Sequence, residues 1–569
     1  MKQIFLLLNL ISILTSFDVF SFNKITSEQA YDKAQILRGQ ADSLIENNSN
    51  HESLKKAEGI LVNALNFVRQ ENIKAMYSTN KYLAARQWDI LRDLIKVNSL
   101  QKDEVDALKY LADLSFANRL YWVAEDEAVT SLLGENILFK NVVSKEKAWA
   151  RVQSTKSFES TYNENISDEE KIAGLSLLWS EVKQGFVFFD QVPDLNWDEK
   201  FKEYIPRVLN TDSTQQYYKE LIHMVAQLND AHTNVYYPSN LYKKAYSRPP
   251  FRTALIEGRV IVTEIFSESL RIKGVSVGDE ILKIDDREVH EYVRTEVMPF
   301  QSSSTPQNLN DRAYKYALLS GDSEQPVTLK LKDKDGHHTE ISVSRSEYGD
   351  ERYPSINSFK IIEGKFGYFK TNSFSSRETV EFFKSIIHKL NHLDSLIIDI
   401  RNNGGGSSNV GFEILSYLTK KTLVGSTSFA RKNLSVERAW GNNSTLWKNL
   451  GSSTFSANDK HTFQKPVIVL AGPETFSAAE DFLVAFKQSD RGLIIGETTG
   501  GSSGQPLVFS LPGGGTARVC VKRDKYQSGE DWVGVGISPD IIVKPTVVNI
   551  QNKEDVVLNM ALLRLTNES

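Results

Sequence analysis

Cysteine is almost absent from this sequence, and so are several other signals that mark particular classes of protein. Cys520 is the only cysteine among 569 residues, so no disulfide can form within the chain, and a protein of this length has enough core without one. The 67 basic and 72 acidic residues give a net charge of -5, which provides no electrostatic case for nucleic acid. Neither HExxH nor CxxC occurs, so no metal site is predicted.

Long apolar runs are also scarce, and the exception lies at the N-terminus. After Lys2, an apolar run extends from Ile4 to about Leu14 and is followed by small and polar residues. The run is shorter than the ~20 apolar residues that cross a bilayer, and it predicts a secretory signal peptide over residues 1–22. A buried N-terminal helix is the alternative. Because no cysteine for a lipid anchor follows, we expect an exported protein, periplasmic or secreted, with no stable membrane insertion once the signal is removed.

Glycine and proline are nearly absent from residues 23–166, where apolar residues recur three and four apart, as in KYLAARQWDILRDLIKV. This pattern predicts a helical N-terminal domain. It contains no motif that assigns a role, so an interaction or scaffold domain and a prodomain or packing domain both remain open. Residues 167–246 continue the helical pattern as a cap region, which ends in the turn DAHT that carries His232.

The pattern changes to short strands over residues 247–346, where GRVIVTEI, PVTLKLKD and TEISVSR are separated by Gly and Asp turns. From residue 357 to 569, strands alternate with helices, which predicts an α/β core. In this core the strand SLIIDI precedes the loop NNGGGSSN, and the strand KPVIVLAG precedes the helix SAAEDFLVAFKQ. We therefore predict a multidomain chain.

Ser477 opens the last of these helices, and its pattern has two interpretations. Ser477 followed by Glu480 three residues on is a capping box, in which the two side chains satisfy free backbone N–H groups. A nucleophilic serine instead needs a base within hydrogen-bond reach and N–H donors for the oxygen that becomes negative. The N–H of Ala478 at the helix N-terminus is one candidate donor. The glycine loop at residues 399–406 is a candidate source of the second, because glycine lets the backbone approach closely.

Four segments occur in a specific order: LIIDIRNNGGG, AGPETFSAAEDF, GETTGGSSGQP and GVGISPDI. Together they resemble the C-terminal processing (tail-specific) serine peptidases, in particular the branch similar to the tricorn protease core. Upstream, LNDAHTNV resembles the histidine turn of that branch, and GVSVGDEILKIDDREV resembles the second half of a PDZ domain. The resemblance covers residues 168–559. It implies a crotonase/ClpP-like αβ core with ββα units at residues 357–569 and an all-β PDZ-like domain at residues 247–346.

The resemblance also implies roles for individual residues. Ser477 stands at the position of the nucleophile, and His232 matches the histidine base, whose ordinary pKa near ~6.5 suits proton exchange at neutral pH. The Ser/Lys branch of the family has a lysine 25 positions after the serine, but position 502 here is Ser502. The oxyanion donors would be the N–H groups of Gly405 and Ala478, with Gly404 or Gly406 as alternatives to Gly405.

The group that orients the histidine is the open point. The tricorn-like pattern has a glutamate where this chain has Val533. Glu530 and Asp531 are close in sequence and are the candidates for a third triad member, while Asp230 and Glu480 are weaker alternatives.

These residues favour an exported serine endopeptidase that acts on polypeptides through an acyl-enzyme, without metal or organic cofactor. The PDZ-like domain would bind or gate the peptide substrate. The alternative is a catalytically inactive, PDZ-bearing peptide-binding or scaffold protein of the same fold, which the missing lysine and the unassigned carboxylate favour. A crotonase-like acyl-CoA enzyme shares the general core, but the signal peptide and the PDZ-like insert disfavour it.

Overall fold

The computed structural model describes residues 27–47, 50–74, 81–115, 126–345, 355–442, 445–458 and 463–568. The chain divides into two compact units, Met1–Ser154 and Thr155–Ser569. The predicted signal peptide, residues 1–22, lies outside the described residues. Of the helices in the described ranges, none has both the length and the apolarity that a membrane crossing requires.

The described part of the first unit consists of helices. They are α1 (Ser27–Asn47), α2 (His51–Lys74), α3 (Lys81–Leu100), α4 (Glu104–Ser115), α5 (Glu127–Leu133) and α6 (Ile137–Gln153). On α2, the buried residues Ala57, Leu61, Ala64 and Val68 recur every three or four positions and form one apolar face. The helical pattern predicted from the sequence thus corresponds to a buried apolar face. The residues of this face belong to a hydrophobic core that lies within the first unit.

The second unit begins with three helices that form one side of its main core. They are α7 (Asp168–Gly185), α8 (Trp197–Leu209) and α9 (Thr214–Ala226). Residues 155–166 already pack with this unit, since Ile166 is buried in its core and the Thr214 hydroxyl donates to the carbonyl of Asn163 (2.6 Å). The structure therefore divides the chain about a dozen residues before position 166, where the sequence pattern placed the boundary.

Residues 247–345 contain the strands β2 (Phe251–Ile256), β3 (Arg259–Ile265), β4 (Glu280–Ile284), β5 (Arg287–Glu288), β6 (Val327–Lys332) and β7 (His338–Val343). They form an antiparallel sheet with strand order β2-β3-β4-β6-β7, and β5 pairs with β4. Short helices are also present. In the sequence, α10 (Tyr242–Ala245) precedes the first strand of the sheet, and three helices occur between its strands: α11 (Glu268–Ile272), α12 (Val289–Tyr292) and α13 (Pro306–Asp311).

The predicted all-β character of this insert is incomplete, because its residues 289–317 are largely helical. Val289, Val293 and Val297 are buried at a spacing of four, which places them on one face of this helical segment. This helical segment supplies the insert's contacts with the loops around Ser477 and Ser502.

The α/β core contains a six-stranded sheet formed by β8 (Asn357–Ile362), β9 (Phe366–Thr371), β10 (Ser395–Asp399), β13 (Val467–Ala471), β14 (Leu493–Gly496) and β18 (Ile541–Ile542). The strand order in this sheet is β18-β14-β13-β10-β9-β8. The helices of the core are α14 (Glu378–Leu390), α15 (Ser408–Ser416), α16 (Ser435–Ala439), α17 (Ala478–Gln488), α18 (Val547–Gln551) and α19 (Val556–Glu568). The mixed helix-and-sheet, multidomain architecture is confirmed, while the crotonase/ClpP-like assignment stays a prediction.

All neighbouring strands of this sheet are parallel except β8 and β9. Every residue of β10 and β13 is buried, as expected for parallel strands covered on both faces. Because parallel strands end at the same edge, the loop after β10 and the turn after β13 lie side by side. These are the glycine loop and the turn that carries Ser477, and such an edge is where open α/β sheets place their ligands.

Two smaller sheets complete the unit. One contains β1 (Asn234–Tyr236), β16 (Thr516–Cys520) and β15 (Pro506–Ser510), and the other contains β12 (Leu446–Phe455), β11 (Leu423–Lys432) and β17 (Arg523–Lys525). The antiparallel pairing of β1 with β16 joins the segment after α9 to the C-terminal part of the chain. It therefore fixes the histidine turn next to the α/β core.

Candidate active site

Ser477 lies in the tight turn between β13 and α17. Its backbone has φ +57° and ψ -122°, a conformation that residues with a side chain rarely adopt. The turn is held from both sides, since the N–H of Ser477 donates to the carbonyl of Ser502 (3.0 Å) and that of Phe476 donates to the carbonyl of Asn403 (3.0 Å). A strained strand-to-helix turn of this kind points the serine hydroxyl away from the backbone.

His232 lies in the turn between α9 and β1, and its side chain meets that hydroxyl. The distance from His232 Nε2 to Ser477 Oγ is 3.1 Å, although the two residues are 245 positions apart. The ring of His232 is buried and stacks on Phe476, with 4.9 Å between centroids and 10° between planes. The imidazole is thus held within the reach that a general base requires.

The capping box is present together with this contact. The N–H of Ser477 donates to Glu480 Oε2 (3.2 Å), as the cap interpretation of the sequence predicts. The two interpretations of Ser477 are therefore compatible, because the cap uses the backbone of Ser477 and the side chain of Glu480, while the hydroxyl faces the histidine.

The other ring nitrogen of His232 contacts a residue that sequence reasoning did not select. Nδ1 lies 2.7 Å from the hydroxyl oxygen of Ser502, a fully buried side chain. In the tautomer whose Nε2 accepts a proton from Ser477, Nδ1 carries the hydrogen and donates it to Ser502. Ser502 occupies the position where the Ser/Lys branch has its lysine, but a loop serine has no feature that predicts contact with an imidazole.

The expectation that Glu530 or Asp531 orients the histidine is wrong. Asp531 accepts hydrogen bonds from Arg523 (3.0 and 2.9 Å) and Lys525 (3.1 Å), and these ion pairs hold it against β17. Glu530 accepts from the hydroxyl of Ser528 (3.2 Å) and is exposed. The two weaker alternatives also point elsewhere. Asp230 accepts from Thr233 and Ser304, and Glu480 accepts from the loop around Ser502.

Glu480 connects two segments of the site. Its carboxylate accepts the N–H groups of Ser477 (3.2 Å), Gly501 (2.7 Å) and Ser502 (2.9 Å), and also the hydroxyl of Thr499. Burial raises the pKa of Glu480 to about 8, while these four donors favour the carboxylate. The side chain thereby ties the start of α17 to the loop that carries Ser502.

The candidate oxyanion donors lie beside Ser477. Ala478 is the first residue of α17, so its N–H has no acceptor within the helix. Gly405 has φ +95°, and a Cβ there would lie 2.8 Å from Ser477 Cβ and 2.9 Å from the nitrogen of Ala478, so only glycine permits the approach. The N–H of Gly405, however, donates to Asn403 Oδ1 (2.9 Å) and is already engaged.

The helical segment of the insert contacts the same loops. Glu474, in the turn before Ser477, accepts hydrogen bonds from Lys315 and Tyr316 of the insert and from Asn402 (2.9 Å). Burial, together with the negative charge of Glu474, raises the pKa of Asp311 to about 7. The insert is thus attached directly to the turn that carries the candidate nucleophile.

Metal-ligand spacing occurs in the described part of the chain in one group, formed by Asp333, Asp335 and His337 in an insert hairpin. Both oxygens of Asp333 accept hydrogen bonds from Asp335 and His337 of its own turn. Turn formation accounts for this arrangement without an ion.

A serine hydroxyl within hydrogen-bond reach of a buried histidine, at the edge of a parallel sheet, is the arrangement that serine-type peptidases use. More specifically, residues 365–543 match the model of peptidase family S41. This segment includes Gly405, Ser477 and Ser502, whereas His232 lies outside it. The predicted resemblance to C-terminal processing serine peptidases is confirmed.

Curated relatives match part of the chain. The carboxyl-terminal-processing protease of Synechocystis sp. is 28% identical over 209 residues, which cover 35% of this chain and 44% of that protein. The chloroplastic C-terminal processing peptidase of Tetradesmus obliquus is 30% identical over 186 residues, covering 32% of this chain and 36% of the relative. The chain thus spans less than half the length of these relatives.

Among solved structures, mature CPAF complexed with lactacystin has a TM-score of 0.57 and 17% sequence identity. The match covers 71% of this chain and 99% of that chain, which establishes a shared fold. The PDZ-like character of residues 247–346 stays a prediction.

Replacing Glu480 with glutamine tests its role in joining the site. A glutamine oxygen cannot accept all four donors, so at least one buried N–H loses its acceptor, and we expect the free energy of unfolding to fall by about 1–3 kcal/mol. Urea unfolding measures the change. The matched control is Glu381→Gln on the exposed face of α14, where the loss should stay below about 0.5 kcal/mol. Equal stability of the two variants would contradict the role given to Glu480.

Proposed function

We propose that this protein is an exported serine endopeptidase that hydrolyses polypeptides through an acyl-enzyme formed on Ser477. The observation that carries the proposal is the 3.1 Å distance between Ser477 Oγ and His232 Nε2 at the edge of the sheet where the parallel strands end. The S41 domain and the names of the processing proteases it resembles support the reaction class. No metal or organic cofactor is required for this chemistry.

In the proposed acylation step, His232 Nε2 takes the hydroxyl proton while Ser477 Oγ attacks the peptide carbonyl carbon. The imidazolium then gives the proton to the leaving amine, the C–N bond breaks, and the acyl group stays on Ser477. Water repeats the sequence with His232 as its base and releases the acid. Each transfer uses the same nitrogen, which the stacking on Phe476 holds in place.

The tetrahedral intermediate needs donors for its negative oxygen. Among the described residues none accepts the N–H of Ala478, which can therefore take this role, and Gly405 is the proposed source of the second N–H. The N–H of Gly405 donates to Asn403 Oδ1, so this hydrogen bond must break or become bifurcated before the N–H can bind the oxyanion. Since one such donor lowers the barrier by about 2.7–4 kcal/mol, the state of Asn403 would strongly affect the rate.

Ser502 takes the place of a carboxylate as the group that orients the imidazole in this proposal. A hydroxyl accepts the Nδ1 hydrogen and fixes the tautomer, but it carries no negative charge to stabilise the imidazolium. We accordingly assign Ser502 as a positioning residue that acts through His232.

The insert at residues 247–346 would control access to this site. Its contacts with Glu474 and its hydrogen bonds to the loop around Ser502, from Thr305 to the Gly500 carbonyl (2.8 Å) and from Gln307 to the Thr499 carbonyl (3.0 Å), favour a gating role. The edge strand β2 offers a place where an extended peptide could add to the sheet, as PDZ domains use theirs.

A non-catalytic peptide-binding protein of the same fold is the second candidate. One observation favours it, namely that the N–H of Gly405 is occupied by Asn403. The two functions differ in whether Ser477 reacts with an electrophile.

Replacing Ser477 with alanine should abolish casein cleavage and fluorophosphonate labelling, because the attacking oxygen is removed. The expected fall in kcat is at least about 10⁴-fold. Thermal unfolding should show that the variant is folded, and Ser435→Ala on an exposed helix is the matched control that keeps both activities. Wild-type protein that neither cleaves nor labels would favour the binding protein instead, and residual cleavage by the variant would reject Ser477.

Replacing Ser502 with alanine should lower kcat about 10- to 100-fold, because the imidazole loses the acceptor that fixes its tautomer and orientation. The apparent pKa in the pH profile of kcat/KM should shift as well, which a purely structural loss would not cause. Glu530→Gln is the control and should leave kcat unchanged. The reverse result, a loss with Glu530→Gln and none with Ser502→Ala, would restore the carboxylate triad.

The acid limb of the pH profile reports the state of His232. Burial, with the positive charges of Arg518, Arg312 and Lys522, lowers the pKa of His232 well below its ordinary value of 6.5. A base must be unprotonated, and a lowered pKa keeps it unprotonated to lower pH, so kcat/KM should stay high as pH falls below about 6.5. Circular dichroism at the same pH values separates titration from unfolding. A limb above pH 7 in the folded protein would contradict this assignment.

A further inference from the structure

Two arginines flank the paired serine and histidine and have no acidic partner. Arg518, on β16, donates from Nε to Asn234 Oδ1 (2.7 Å) and from Nη2 to the carbonyl of Ala231 (3.2 Å). Arg312 donates from Nε to Asn308 Oδ1 (3.1 Å). All these acceptors are neutral, and in the described part of the chain neither guanidinium is paired with a carboxylate.

Each guanidinium group lies beside a residue that is adjacent in sequence to His232 or Ser477. Arg518 contacts Ala231, the residue before His232, and the Cζ of Arg312 lies 5.7 Å from the ring centroid of Phe476, the residue before Ser477. Phe476 is the ring on which His232 stacks. The two arginines also affect each other, because burial and then the like charge of Arg518 lower the pKa of Arg312. They therefore form a local excess of positive charge around the histidine.

The other charged side chains near these two arginines already have hydrogen-bond or ion-pair partners in the protein. Lys522 is paired with Asp524 (2.8 Å). Asp230 accepts from the hydroxyls of Thr233 (2.6 Å) and Ser304 (3.4 Å) and forms no ion pair with either arginine, although its negative charge acts on both of them. The half-buried guanidinium groups keep N–H donors that no described side chain uses.

We propose that Arg312 and Arg518 form a subsite for a carboxylate of the peptide substrate on the leaving side of the scissile bond. The planar guanidinium group matches a carboxylate better than any other side chain does. The side follows from the chemistry, because His232 donates its proton to the leaving amine, and the histidine turn that Arg518 contacts therefore faces that part of the peptide. The carboxylate belongs to an Asp or Glu side chain or to the C-terminus of a short leaving segment.

This inference rests on the proposed peptidase function, and its test uses matched peptides. Four fluorogenic peptides share one sequence and differ only after the cleavage point: Asp or Asn near the bond, and a free or amidated C-terminus. Wild-type protein should prefer a carboxylate-bearing member over its neutral partner by about 10-fold or more in kcat/KM, mainly through KM. The Asp/Asn pair and the free/amidated pair tell which carboxylate is recognised.

Arg312→Gln and Arg518→Gln should each bring that preference close to one, and Arg518→Lys should restore part of it. The matched control is Arg564→Gln on the exposed face of α19, which should keep the preference. A preference that persists in both glutamine variants, or is absent from the wild type, overturns the subsite.

A binding measurement separates this inference from the function itself. In the Ser477→Ala background, fluorescence anisotropy with the same labelled peptides reports recognition without cleavage. Tighter binding of the carboxylate-bearing peptide, lost on Arg312→Gln, supports the subsite even if the wild type hydrolyses nothing. Equal binding of all four peptides overturns it even if the wild type is an active peptidase.

Discussion

The site depends on one short strand pairing. β1 is three residues long, and its pairing with β16 holds the turn that carries His232 against the core. The N–H of Cys520 donates to the hydroxyl of Thr233 (3.1 Å), and Arg518 contacts both ends of the same turn. Without this pairing the imidazole has no fixed relation to Ser477, because the two belong to segments separated by the whole insert. Arg518 is then both part of the pairing and part of the proposed subsite.

Glu480 is the second constraint, and it acts on the other side of the hydroxyl. A fully buried carboxylate is costly unless its oxygens are satisfied, and here four donors converge on it. Those donors belong to the two segments that must stay together for Ser477 and Ser502 to face one imidazole. The cap that first looked like an alternative to catalysis is therefore the feature that positions the proposed catalytic residues.

Sequence patterns predicted the parts of this protein whose physics is local. The helices of the first unit, the α/β alternation and the turn at Ser477 follow from periodicity and capping, and the motifs selected both Ser477 and His232. The helical segment at residues 289–317 was missed, although its valines recur every four positions, because the strand pattern of the flanking segments dominated the interpretation.

The partners of His232 were harder to predict, because they depend on which loops meet in space. A carboxylate close in sequence to the GxxPD turn was the natural choice for orienting the imidazole. The carboxylate of Asp531 instead forms ion pairs with Arg523 and Lys525 and does not contact the ring. Ser502 has no charge and no distinctive neighbours in sequence. Only the convergence of its loop with Glu480 brings its hydroxyl to Nδ1.

The charge around His232 connects the missing carboxylate with the proposed subsite. In a Ser-His-Asp triad the acid stabilises the imidazolium that forms during attack. Here the orienting group is a neutral hydroxyl, and the two guanidinium groups oppose a positive imidazole, which keeps it a ready base but disfavours the proton-bearing state. A substrate carboxylate bound by Arg312 and Arg518 would offset that positive charge while the imidazolium forms during attack. Recognition of the leaving segment would then do more than select the substrate, since the substrate would supply a negative charge that the neutral hydroxyl of Ser502 does not provide.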